Sequence, residues 1–175
     1  MSETRSEARI TPAGEGATAV ETGLPVLDHL VAELAGSGRF RVSLEVAPGS
    51  ADEAVAAAGR AFGRAVAARL DASVAGVGWA MLPADEALAL VALERAAEGR
   101  LVTNVDFSDE RVGGVATDVA VRFLEELALA ASLNLHVRLV EGTDPQHVLT
   151  AIFKAVGASL GQALQPVPRP TEEAP

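Results

Sequence analysis

The stretch LNLHVRLVEGTDPQHVLTAIFKAVGASL (133–160) decides the fold. Leu133, Leu135, Val137 and Leu139 alternate with Asn134, His136 and Arg138, the period-two pattern of a strand with one buried and one polar face. Thr143-Asp144-Pro145 breaks it and opens a helix to about Leu164, with Asp144 suited to the N-cap and Pro145 to the first helical position.

The same order occurs earlier in the chain. Leu24–Ala35 carries Leu24, Leu27, Leu30, Val31 and Leu34 at helical spacing, and Gly36 and Gly38 are expected to stop it. Phe40, Val42, Leu44 and Val46 alternate with Arg41, Ser43 and Glu45, Pro48-Gly49-Ser50 interrupts, and an Ala-rich helix follows over 52–70. Its counterpart to 133–164 is preceded by a helix at about 115–131 after Gly113-Gly114. Both copies end alike, in RAFGRAVAARL (60–70) and AIFKAVGASLGQAL (151–164). Between them, 77–81, 86–93 and 101–107 read as strands, punctuated by Pro83 and by residues 98–100.

The reading is an α+β fold: a duplicated two-layer α/β sandwich of pseudo-symmetric halves, about 17–82 and 83–165, sharing one core. Residues 1–16 are read as a flexible N-terminus and 166–175 as a disordered Pro-rich tail.

Composition narrows the function. The 175 residues are 49% hydrophobic but only 3% aromatic, so Ala, Val and Leu must build the core through close backbone packing. A formal net charge of −10 disfavours nucleic acid and anionic membranes as partners. The absence of cysteine removes disulfides and thiolate metal sites. The N-terminus MSETRSEARI has no apolar signal core, and no apolar run approaches the roughly 20 residues needed to span a bilayer. A cytoplasmic protein is expected.

Imidazole is the usual metal ligand and proton carrier near neutral pH, and the chain holds three histidines: His29, His136 and His147. His147 shares a helix face with Thr150 and Lys154, and His136 stands on the polar face of the preceding strand, so the two rings are candidates to meet. They also suit exposed surface positions. His29 follows Asp28, although adjacent helical residues diverge by about 100°. Asp52-Glu53 suits either a ligand role or the positive end of its helix. Asp85-Glu86 reads as an acid/base pair or as the polar start of a strand, and Arg100 and Arg111 as phosphate contacts or solvated surface.

Taken with TGLPVLDHL (22–30), PADEALALVALE (83–94), GRLVTNVDF (99–107), ERVGG (110–114), LNLHVRL (133–139) and HVLTAIFKA (147–155), these pieces resemble the imidazoleglycerol-phosphate dehydratase family of histidine biosynthesis. The resemblance implies a duplicated two-layer fold and a hydro-lyase with two manganese ions. It also implies sites formed between subunits, and trimers that assemble into a cubic shell.

Carried over by residue, His29, His136 and His147 fall on ligand positions, and Asp52 lies near a ligand glutamate. Arg100 and Lys154 fall on substrate or phosphate positions. The departures are as informative. The first His-His pair is absent from the shortened loop PGSADEA (48–54), and Gln146 and Thr150 replace a ligand histidine and glutamate. The arginine-aromatic-glycine phosphate segment is missing around Gly78-Trp79. PRPTEEAP (168–175) stands in place of Ser-Thr-Lys-Gly, and the N-terminal strand with its Thr-x-Glu-Thr pattern is lost or truncated.

The expectation is a divergent homologue with depleted metal and phosphate sites, catalytically impaired or inactive, with an assembly, regulatory or binding role. It would hold no metal, or one weakly bound transition metal of a kind that suits imidazoles better than manganese does. It would form a trimer or smaller homo-oligomer, with a true dehydratase paralogue as a possible partner. An active dehydratase with an unusual site and a small-ligand or single-metal binder are the alternatives.

Overall fold

The computed structural model describes residues 6–12, 18–106, 111–112 and 115–168. The elements in chain order are β1 (Glu7–Pro12), β2 (Ala19–Glu21), α1 (Pro25–Gly38), β3 (Phe40–Glu45), α2 (Ala51–Ala67), β4 (Val77–Ala84), β5 (Ala87–Arg95), β6 (Arg100–Thr103), the short pair β7 (Arg111–Val112) and β8 (Val115–Ala116), α3 (Thr117–Ala131), β9 (Leu133–Glu141) and α4 (Pro145–Ala163).

The alternation read in Phe40–Glu45 and Leu133–Glu141 makes each of these strands the middle of its sheet. β3 pairs antiparallel with β1 and parallel with β2. β9 pairs antiparallel with β5 and parallel with β6, and β4 adds a fourth strand outside β5. The repeat is therefore matched strand for strand and helix for helix: β1-β2-α1-β3-α2 against β5-β6-α3-β9-α4.

The apolar faces of both sheets turn toward the helices. α1 packs against α4 and α2 against α3, so each helix pair joins the two halves. Four phenylalanines form a chain through the core: Phe40 to Phe62, Phe62 to Phe123 and Phe123 to Phe153, with centroids 6.4, 5.8 and 5.6 Å apart. Elsewhere glycines let backbones touch. A Cβ on Gly157 would enter the Leu34 backbone, and one on Gly59 would lie 2.5 Å from the Phe123 carbonyl oxygen. This is the close backbone packing that a ring-poor composition demands.

Several expectations are corrected. Residues 7–12, placed in a loose N-terminus, form β1, so the first half starts before residue 17 and an N-terminal strand is present. The 82/83 boundary falls inside β4, which joins the second sheet. Helix α1 runs through Gly36 to Gly38 and ends at Arg39 in the left-handed region (φ 55°). Gly38 is needed there because a Cβ would meet the Gly157 carbonyl oxygen at 2.6 Å. Pro83 lies within β4 instead of ending it, which an edge strand permits. The tail begins in place: Pro166 bridges to Val74, and the Val167 N–H donates to the Ser73 carbonyl. Residues 169–175, Phe107 and Gly113-Gly114 lie outside the described residues.

Exposed sheet edges invite unwanted pairing, and side chains from α4 and from just after α2 bind backbone groups on one edge strand of each sheet, β4 and β1. Gln162 of α4 accepts from the Trp79 N–H (3.1 Å) and donates to the Trp79 carbonyl (2.7 Å) on β4. Lys154 donates to the Pro83 carbonyl, and Arg69 to the Ile10 carbonyl on β1, each at 2.7 Å.

Candidate functional site

Among the described residues the N-terminus of α4 gathers a dense set of polar contacts. Asp144 caps the helix as its sequence position suggests, accepting from the Gln146 and His147 N–H groups at 2.9 and 3.2 Å. Asp85 and Glu86 form the two-residue link between β4 and β5, with Asp85 in the left-handed region (φ 49°). From that link Glu86 accepts the Thr143 and Asp144 N–H groups at 3.3 and 3.0 Å and meets His147 Nδ1 at 2.5 Å. Asp85 Oδ2 lies 3.5 Å from His147 Nε2.

The electrostatics follow from these contacts. The Asp144 N–H, then the His147 ring and further backbone donors, hold the Glu86 carboxyl at about 2. His147 is raised above its ordinary value, first by its hydrogen bond to Glu86 and then by the charges of Glu86, Asp144 and Asp85. The arrangement favours an imidazolium whose Nδ1–H donates to Glu86.

Its neighbours on the same helix face are committed elsewhere. Thr150 donates its hydroxyl to the Gln146 carbonyl at 2.8 Å, and the Gln146 side chain is exposed. Lys154 is bound to the Pro83 carbonyl.

The remaining candidates lie on other elements. His136 is exposed on the outer face of the second sheet, in register with Ala92 of β5 and Val102 of β6, while Ala92 pairs with Trp79 of β4. Ala92 stands six residues from Glu86, about 20 Å along a strand, so His136 and His147 do not meet within one chain as expected. His29 is exposed on α1. Its neighbour Asp28 accepts from the Thr22 N–H (3.0 Å) and hydroxyl (2.5 Å), which fixes the turn before the helix and leaves the His29 ring unoriented by it. Asp52 is exposed in the first turn of α2, on a groove of about 440 Å³ that it shares with Thr103, Asp106, Asp118, Arg122 and Glu125. Arg100 is exposed on β6 opposite Asn134. The Arg111 side chain lies outside the described residues.

Among the described residues no group of three or more His, Asp or Glu side chains is arranged to hold a metal ion. His29, Asp52, His136 and His147 come from α1, α2, β9 and α4 respectively. Within one chain these donors do not fit a binuclear manganese centre. The pairing of Glu86 with His147 is the feature that sequence reasoning missed. The residues are 61 positions apart, and only the fold brings them together.

This architecture and this set of positions define a duplicated α/β protein of the dehydratase type. The imidazoleglycerol-phosphate dehydratase family model matches residues 22–160. Imidazoleglycerol-phosphate dehydratase of Desulforudis audaxviator is 34% identical, over 92% of this chain and 85% of that protein. Its namesake in Desulfitobacterium hafniense is also 34% identical, over 95% and 88%. The crystal structure of the Staphylococcus aureus enzyme superposes with a TM-score of 0.86 at 24% identity, over 95% of this chain and 97% of that one. The Pyrococcus furiosus enzyme gives 0.81 at 20% identity, over 99% and 97%. The chain belongs to the imidazoleglycerol-phosphate dehydratase family.

No helix among the described residues is long and apolar enough to cross a membrane.

Proposed function

We propose that this chain is a divergent member of the family that has given up binuclear manganese dehydration and keeps the fold for binding or assembly. The observation that carries the reading is the donor count. A divalent manganese takes about six nitrogen or oxygen ligands. In a homo-oligomer each chain supplies its donors once per site, however the sites are shared between subunits. The positions that match family ligands offer His29, His136, His147 and Asp52, with neutral Gln146 and Thr150 at two others. Four donors leave two octahedral ions mostly hydrated and poorly held.

The phosphate side is depleted in the same way. Arg100 is free on its sheet face, but Lys154 is drawn to the Pro83 carbonyl and Gly78-Trp79 offers no arginine. A trimer or smaller assembly follows from the loss of shared metals. A dehydratase chain with a full ligand set would be its natural partner.

Metal analysis and an assay decide the matter. Purified protein loaded with manganese is expected to retain at most one ion per chain and to eliminate no water from imidazole glycerol phosphate. Two ions per chain with metal-dependent turnover would overturn the reading. That outcome is the second reading, an active dehydratase with an unusual site, which the 34% identity to relatives carrying that name favours.

A further inference from the structure

A second polar region, away from every candidate above, lies where the free edge of β1 faces the C-terminal ends of α1, α2 and α4. There a cavity of about 1140 Å³ is lined by Arg9 of β1, Arg39 just after α1 and Arg69 just after α2. Ile10 and Phe40, both buried, lie behind it, and Gln165 stands on the rim beside Gln162, whose amide is held by the Trp79 backbone.

The chain has 24 acidic and 14 basic side chains, so a cavity with three arginines runs against its overall charge. Arg9 and Arg39 are exposed and Arg69 is half-buried, so the wall is locally positive, with a repulsion that water and salt screen in part and a bound anion would relieve. Among the described residues the one carboxylate in the lining, Asp71, is taken by the Ser73 N–H at 2.7 Å and by the Ser73 hydroxyl. Arg69 is anchored by Nε on the Ile10 carbonyl at 2.7 Å, which leaves its terminal nitrogens to spare. Arg39 occupies a left-handed position where glycine is the usual residue, a backbone cost of about 1–2 kcal/mol accepted with an arginine side chain on the cavity wall. The partial negative charge of the three helix ends offsets part of this repulsion, but that field fades beyond the last turn.

We infer that this cavity is an anion site for a small phosphate-bearing molecule, held by Arg9, Arg39 and Arg69. Planar guanidinium forks match phosphate oxygens in pairs, and the volume takes a ligand of nucleotide or sugar-phosphate size. The inference is independent of whether dehydration is retained, because Arg100 and Lys154 lie elsewhere.

The test is titration calorimetry of the full chain with inorganic pyrophosphate, and separately with inorganic phosphate, at constant ionic strength. One saturable pyrophosphate per chain is expected, bound more tightly than phosphate and accompanied by a rise in Tm. R9Q and R39Q should each weaken it on the order of tenfold or more, R39K by less, and R64Q and R100Q not at all. Circular dichroism of each variant guards against misfolding, and R9Q, on a different element, tests the site independently should R39Q prove poorly folded. No saturable binding, or binding untouched by R9Q and R39Q, would overturn the site. Weakening by R100Q alone would assign the anion to the dehydratase-like surface instead.

Discussion

The two halves begin their second helices differently. At α2 the polar groups close on themselves: Ser50 accepts the Glu53 N–H, and Glu53 returns to the Ser50 N–H at 2.9 Å and hydroxyl at 2.8 Å. This is a capping box contained within four residues. At α4 the cap Asp144 is joined by Glu86, which arrives from the β4–β5 link and binds both backbone and imidazole. One helix start is held by its own sequence, the other by the fold. The duplicated scaffold thus tolerates divergence at one end while keeping long-range polar wiring at the other, and that wiring is where any remaining chemistry would sit.

Where the halves ought to be equivalent is the helix pairing, and the largest expected effects lie there. Gly157→Ala drives a methyl group into the Leu34 backbone between α1 and α4. Gly59→Ala meets the Phe123 carbonyl oxygen at 2.5 Å and Glu126 Cβ at 2.8 Å between α2 and α3. Each should lower stability in urea unfolding by about 1–3 kcal/mol or more, because backbone atoms cannot turn aside as a side chain does. Gly157→Ala should cost the more, since every one of its nearest contacts is backbone of Leu34. A neutral Gly157→Ala would show that the α1–α4 pair is looser than its α2–α3 counterpart, and the comparison would fail at its strongest point.

Glu86→Gln sharpens the contrast between the helix starts. Glutamine can still accept the Thr143 and Asp144 N–H groups, so the change isolates the charge facing His147. Glu86 titrates at about 2 in the folded chain against an ordinary 4.5, so its contribution is present above pH 4.5 and is lost as pH falls toward 2. His147 is raised above 6.5, so its contribution is complete below 6.5 and is lost as pH rises through its folded value. The wild-type advantage over Glu86→Gln should therefore be widest between about pH 4.5 and 6.5 and narrow on both sides, as thermal unfolding across pH would show. Both side chains are partly exposed, so added salt should shrink the gap. A gap that narrowed toward acid but not as pH rises above 6.5 would mean that Glu86 acts only as a backbone acceptor.

Much of this fold was legible from period alone. Leu133–Leu139 and Phe40–Val46 alternate cleanly because each is the central strand of a sheet with one face on the helices. β1 escaped because it is a short edge strand that turns only Ala8 and Ile10 inward, among Glu7, Arg9 and Thr11. Gly36 and Gly38 looked like a stop because local propensity was weighed without the α4 backbone that Gly38 has to admit. The candidate site was less legible. A histidine's neighbours in space are set by sheet register and helix packing, so neither the isolation of His29 nor the grip of Glu86 on His147 shows in local spacing.

Ser50→Ala is expected to have the smallest effect and to test the local half of the contrast. It removes the acceptor for the Glu53 N–H and should cost about 1 kcal/mol by urea unfolding, typical of an exposed cap. Glu53 sits below its ordinary value first because of the Ser50 N–H and then because of the Ser50 hydroxyl. The variant keeps the first donor and loses the second, so the Glu53 carboxyl should rise part of the way back, a change that NMR titration resolves. His147 should titrate unchanged, since nothing in the α2 capping box reaches α4. If Ser50→Ala did move His147, the two helix starts would be coupled through the shared helical core, and the division between a locally held end and a globally held one would have to be abandoned.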